Sequence, residues 1–194
     1  MKTVTATLQS ISPYSQSRHY SVDKKQGENA RDYEARTWME RMHTTEDGHV
    51  FIPPMSFKNC LSEIAKFLSV SIPGKGKSTF TKHFEAGILV MDPLVLPIRK
   101  DDVRGEWLFV PSDGVRGSGK RVDKCFPLIP EWTGDVQYHI LDDTLLTKID
   151  TPEGPKTAFE FHLDNAGAFI GIGRFRPRNN GFYGRFRVTH ISGL

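Results

Sequence analysis

Acidic residues are missing from the last thirty positions of this chain: between Asn165 and Leu194 there is no Asp or Glu, against five arginines and five Phe or Tyr rings. Cysteine is scarce. Cys60 and Cys125 stand alone, match no zinc-ligand spacing and imply free thiols in a reducing compartment rather than a disulfide framework. No apolar run approaches the ~18 residues that a membrane helix needs. The stretch Met1-Lys2-Thr3-Val4-Thr5 lacks the apolar core of a signal peptide, so a cytoplasmic protein is expected. Seven histidines are scattered without helical i, i+4 pairs, which argues against a metal centre. Internal repeats are absent too.

The composition is that of a globular protein, with 38% hydrophobic and 25% charged residues over 194 positions, and a single domain is expected over 1–194. Net charge is +3, and the +5 of the C-terminal segment sits on a remainder of −2 (21 basic, 23 acidic). Charge must therefore be read locally. The run Gly171-Ile172-Gly173-Arg174-Phe175-Arg176-Pro177-Arg178 continues through Gly181-Phe182-Tyr183-Gly184-Arg185-Phe186-Arg187. Arginine supplies bidentate bonds to phosphate, rings supply platforms for unpaired bases, and glycine lets backbone approach a ligand. A polyanion is the partner this combination implies.

Residues 2–11 alternate Val4, Ala6 and Leu8 with threonines, which predicts a half-buried strand. Ile11 to Asn29 reads as a long exposed loop. A short helix is expected over Ala30 to Met42 and a strand over His49 to Ile52. Next comes a helix capped by Ser56, with Phe57, Leu61, Ile64, Ala65 and Leu68 on one face. Strands follow near 86–96, 107–110 and 137–141, a helix over 155–168, and a closing strand over 185–191 with Phe186 and Val188 inward. Insertions are expected near 12–29, 71–82 and 111–124. Phe51, Phe57, Phe67, Trp107 and Phe109 read as core; Tyr14, Tyr20, Phe182 and Tyr183 are candidates for stacking. The order of elements predicts an α+β fold with helices on one sheet face, a ferredoxin-like arrangement.

Two strings fail as nucleotide motifs. Gly76-Lys77-Ser78 would need glycine where Ser71 stands, and Gly171-Ile172-Gly173 lacks a third glycine and a βαβ frame. His19, beside Arg18 just past the first strand, could serve a metal-independent ribonuclease or simply lie near nucleic acid. No residue is assigned a catalytic role, and no cofactor or metal is expected.

Asp47-Gly48-His49-Val50-Phe51-Ile52-Pro53-Pro54-Met55-Ser56-Phe57-Lys58-Asn59-Cys60-Leu61 is similar to a signature of the RAMP superfamily, a strand, Ile-Pro, Ser-hydrophobic-Lys and a helix. The Gly171–Arg187 stretch resembles the glycine-rich loop of the same proteins. Pro54-Met55 departs from the usual Gly-Ser. The resemblance implies a modified RNA-recognition-motif core with a thumb-like hairpin, in a subunit of CRISPR-type ribonucleoprotein complexes of antiviral defence. Such a subunit holds single-stranded RNA, guide RNA included, by its phosphates and associates with copies of itself into a filament or larger complex. Carried over by position, Lys58, Arg174, Arg176, Arg178, Arg185 and Arg187 would line the RNA groove. Lys75 and Lys77, or Arg116, Lys120 and Arg121, would then be loop contacts; Arg18, His19 and Tyr183 are further candidates for nucleic-acid contact from their own loop positions. A metal-independent endoribonuclease using His19, a single-stranded DNA-binding protein, and a scaffold subunit pairing with acidic protein remain alternatives.

Overall fold

A computed structural model describes every residue except Asp113, Gly114, Arg116 and Ser118. Arg116, one of the expected contacts, therefore lies outside the described residues. Strand β1 (Lys2–Ser10) buries Val4, Ala6 and Leu8 and turns its threonines outward. Short β2 (Tyr14–Ser15) follows, then α1 (Ala30–Thr37), capped by the Asn29 side chain, which accepts from the Arg31 and Asp32 N–H groups. A 3-10 turn, Trp38–Arg41, extends it. β3 (His49–Ile52) leads into α2 (Pro54–Leu68). Its expected cap, Ser56, lies inside the helix instead: Pro54 takes the first helical position, where a missing N–H leaves nothing unsatisfied and a fixed φ already suits the turn.

Beyond α2, a helix that periodicity did not reveal, α3 (Thr81–Ala86), precedes the apolar run at 86–96. That run is two strands in different sheets, β4 (Ile88–Leu89) and β5 (Leu94–Arg99), because Asp92-Pro93 interrupts the ladder. A long hairpin comes next, β6 (Arg104–Pro111) with β7 (Arg121–Ile129), followed by β8 (Thr133–Ile140). The two-residue strands β9 (Lys148–Ile149) and β10 (Lys156–Thr157) pair with each other. α4 (Ala158–Asn165) starts with a complete Thr157/Glu160 capping box and runs into a π-helical turn, Ala166–Ile170. β11 (Phe186–Ser192) closes the chain.

The main sheet has the order β11-β1-β8-β4, with antiparallel neighbours throughout. α2 lies in the connection from β1 to β4, and α4 in the connection from β8 to β11. The protein is thus a mixed α+β fold built on antiparallel sheets. One face of the main sheet supplies Val4, Leu8, Tyr138 and Ile140 to a core shared with Phe57, Ile64, Phe159 and Leu163 of the two helices. The opposite face is polar: Thr7 donates to Asp135, Thr3 bonds His139, and Arg187 donates to Gln9. By strand alternation it carries no Phe, Tyr or Trp among the described residues.

A second sheet, β2-β7-β6, stands beside the first. It changes two expectations. The stretch 11–29 is not uniformly exposed, because Ser12, Tyr14, Ser15 and Gln16 are buried where β2 pairs with β7. Phe57 is core, but Trp107 and Phe109 stand out on edge strand β6, Phe67 is exposed, and Phe51 is half-buried. An edge strand of a small sheet need not have both faces covered, so an aromatic ring in it does not signal burial.

Candidate nucleic-acid interface

The glycine-rich segment folds back over β2. Arg174 N–H donates to the Ser15 carbonyl (2.9 Å), Gly184 N–H to Pro13 (2.7 Å), and Ile172 N–H to Gly184 (3.0 Å). Glycine is required at 173: φ is 74°, and a β-carbon there would sit 2.5 Å from both the Tyr14 ring and the Ser15 carbonyl. This close approach turns Arg174 toward the hairpin. The Tyr183 hydroxyl then ties the segment to β6, donating to the Glu106 carboxylate at 2.8 Å. Burial first and the adjacent carboxylate second push the Tyr183 hydroxyl up to about 12.

Between the hairpin, the loop after β2 and the glycine-rich segment lies a cleft of about 700 Å³. Arg18, Arg41, Lys124 and Arg174 line it, with no Asp or Glu among its described lining residues. Flat groups alternate along it, from Tyr20 just outside its lining to Phe175 within it. The Arg41 guanidinium lies 5.1 Å from the Tyr20 ring and 4.8 Å from Phe126; Arg174 lies 3.1 Å from Phe126 and 3.7 Å from Phe175. Two guanidiniums thus share one phenyl ring. Each is attracted to the ring's electron-rich face, and stacking leaves the N–H edges free to bond.

Those edges differ. Arg41 donates to buried Glu34 at 2.7 Å and to the Cys125 carbonyl at 3.1 Å. Glu34 also accepts from Lys124 (3.1 Å) and from the Cys125 N–H (3.0 Å). Burial alone would raise the Glu34 carboxyl, but Arg41, the Cys125 amide and Lys124 together hold it below the ordinary glutamate range. Arg174 has no such partner: its Nη1 is buried and unbonded among the described residues. Burial, and then repulsion from Arg41, bring its pKa down to about 10, so it stays charged at neutral pH. A desolvated cation whose donors are unmet is a place for an anion. His43, also in the cleft, is pulled below its usual value by burial and then by Arg18, which favours its neutral form.

The other expected contacts are dispersed. Arg18 lines the cleft, and His19 is exposed beside it. Lys120 and Arg121 are exposed at the hairpin end, Arg121 opposite Pro111 of the cleft wall. Arg176 and Arg178 turn away to Glu63 on α2, at 2.7 and 3.7 Å. Arg185 donates to the Ala168 carbonyl, and Arg187 lies on the polar sheet face. Lys58 is held by Ser62 and the Glu85 carbonyl (2.6 Å). Lys75 and Lys77 are exposed in the loop between α2 and α3, and neither lines the cleft. Among the stacking candidates, Tyr14 is buried, Tyr20 lies under Arg41, and Phe182 is exposed against Tyr183.

Arg41, Lys124, Phe126 and the organising Glu34 are not marked in the sequence, and Phe175 is marked only as one ring of the C-terminal run. Arg41 and Cys125 are 84 positions apart, and no local pattern announces a contact of that separation. Among the described residues no three His, Cys, Asp or Glu side chains gather as a metal site, and no helix is long and apolar enough to cross a membrane. No family model matches the chain, and no curated protein matches it either.

Proposed function

We propose that the protein is a single-stranded RNA-binding subunit that holds the strand's phosphates in the cleft between the β6–β7 hairpin and the glycine-rich segment. One observation carries this: the buried guanidinium of Arg174, unpaired on its Nη1 edge among the described residues, in a cleft whose described charged lining is entirely cationic. The strand order supports it. Reduced to β1-α2-β4-β8-α4-β11, the main-sheet order β11-β1-β8-β4 supports reading the core as a ferredoxin-like unit, with the hairpin in the role of a thumb. The RAMP-like strings then fall on β3–α2 and on the segment that carries Arg174, and membership of a self-associating ribonucleoprotein assembly follows from that resemblance.

Phosphate pairing makes affinity fall with salt, by about 0.7 in log–log slope for each phosphate contacted on a single strand. Arg174→Ala should weaken RNA binding and make that slope shallower by about 0.7, the share of one phosphate contact. Fluorescence-anisotropy titration of matched RNA and DNA oligomers at several salt concentrations measures both effects. An unchanged slope in the variant removes the cleft as the binding site. DNA binding as tight as RNA would keep the cleft but replace RNA by single strands in general, since only the 2′-hydroxyl separates them.

A further inference from the structure

We propose that Phe175 is a stacking platform for one unpaired nucleobase, set beside the phosphate position at Arg174. This rests on the nucleic-acid reading and adds to it: the strand is held by a base as well as by its backbone.

The first support is conformational. Phe175 has φ 52°, in the left-handed region that a bulky aromatic residue avoids because its β-carbon crowds the backbone. The surroundings enforce it. Tyr183 N–H bonds the Phe175 carbonyl at 3.0 Å, and Gly181 is packed so closely on that carbonyl that a β-carbon there would collide with it. A backbone held in a disfavoured state by its neighbours is characteristic of binding sites, where presentation of a side chain outweighs local comfort.

The second support is what the ring presents. Arg174 covers one side at 3.7 Å, and Tyr183 meets it edge-on at 6.3 Å and 61°. The residue nevertheless remains 37% exposed and lines the cleft. Tyr20, Arg41, Phe126, Arg174 and Phe175 form an alternating ladder of rings and guanidiniums, and a nucleobase is a flat π system that fits as its next rung. The unmet Nη1 edge of Arg174 adjoins this end of the ladder. Phosphate at that edge and base on Phe175 are the two halves of one nucleotide, and the cleft is within the ordinary size of a small-ligand site. Trp107, also exposed, lacks this pairing: Arg31 lies over its face at 5.6 Å, but that cation already faces Asp123 at 3.6 Å.

The test uses single-stranded RNA carrying 2-aminopurine, whose fluorescence is quenched on stacking, with probes scanned along the strand. The wild-type protein should quench at one position per bound site. Phe175→Leu should abolish that quench and weaken affinity about tenfold, at the low end of base–ring stacking, while leaving the salt slope intact. Phe175→Tyr should keep both. A quench and affinity unchanged in Phe175→Leu would overturn the platform. A second measurement needs no variant: a strand with abasic spacers should bind more weakly to the wild-type protein, and equal affinity would also overturn it. Failure of the wild-type protein to bind any strand would remove the parent proposal itself.

Discussion

In the main sheet, Val4, Tyr138 and Ile140 meet Phe159 and Ile64, apolar against apolar. In the cleft beside the hairpin, two guanidiniums share one ring, one of them has an unbonded buried edge, and an aromatic residue sits in the left-handed region. The first region is held by apolar packing and buries no charge, although the Tyr138 hydroxyl and His162 Nε2 have no partner there among the described residues. The second leaves groups unsatisfied and backbone strained, and stays in place because its surroundings are over-determined by Glu34, Glu106 and the glycine contacts. An unmet buried charge and a strained backbone held by their neighbours are the costs that the proposed ligand would offset.

The largest expected effect tests the sheet side. Phe159 is fully buried against Tyr138, so Phe159→Ala should cost about 3–5 kcal/mol in urea unfolding. RNA affinity of the folded fraction should not change. A loss below about 1 kcal/mol would mean that the helix-covered face is not where the stability lies.

Glu34 tests the boundary between the two regions. Glu34→Ala leaves Arg41, Lys124 and the Cys125 N–H without their shared acceptor, at a cost of about 3 kcal/mol. Its carboxyl titrates lower in the folded protein than in the unfolded chain. The stabilisation is therefore fully present above the ordinary glutamate value of about 4.3 and is lost as pH falls below it. Thermal melts from pH 6 to pH 3 should show a steeper acid loss in wild type than in Glu34→Gln. Parallel curves would assign the acid loss to other carboxylates.

The smallest effect separates arginines that the sequence presents as equals. Arg176→Ala and Arg178→Ala each remove part of an ion pair with Glu63 that is only partly buried, so each should cost no more than about 1 kcal/mol. Neither should alter the salt slope of RNA binding, in contrast to Arg174→Ala. A slope change as large as that of Arg174→Ala would move the binding surface toward α2.

Much of the sheet was legible. β1 and β11 alternate clearly, and α2 keeps Phe57, Leu61 and Ile64 on one face. β7 was not marked as a strand, because Asp123, Lys124 and Pro127 break its apolar pattern while its hydrogen bonds come from β6 and β2. In the site, Arg18 and Arg174 were legible as cations in flexible-looking segments. Their setting was not: Phe126 sits among ordinary strand residues, and Glu34 looks like one more charge on a polar helix.

The sequence by itself determined that positive charge is concentrated near the C-terminus, that glycines there allow close backbone approach, and that alternating strands and one strongly amphipathic helix build a core. Those properties depend on composition and on short periodicities. Tertiary structure decided which arginine is available. Glu63 takes Arg176 and Arg178, the Ala168 carbonyl takes Arg185, and Gln9 takes Arg187, each through residues brought within bonding distance by folding. Arg174 is directed the other way, by the close seat of Gly173 on Tyr14 and the left-handed turn at Phe175. Pairing of charges is a matter of ångströms between distant parts of the chain, and no spacing along the chain encodes it.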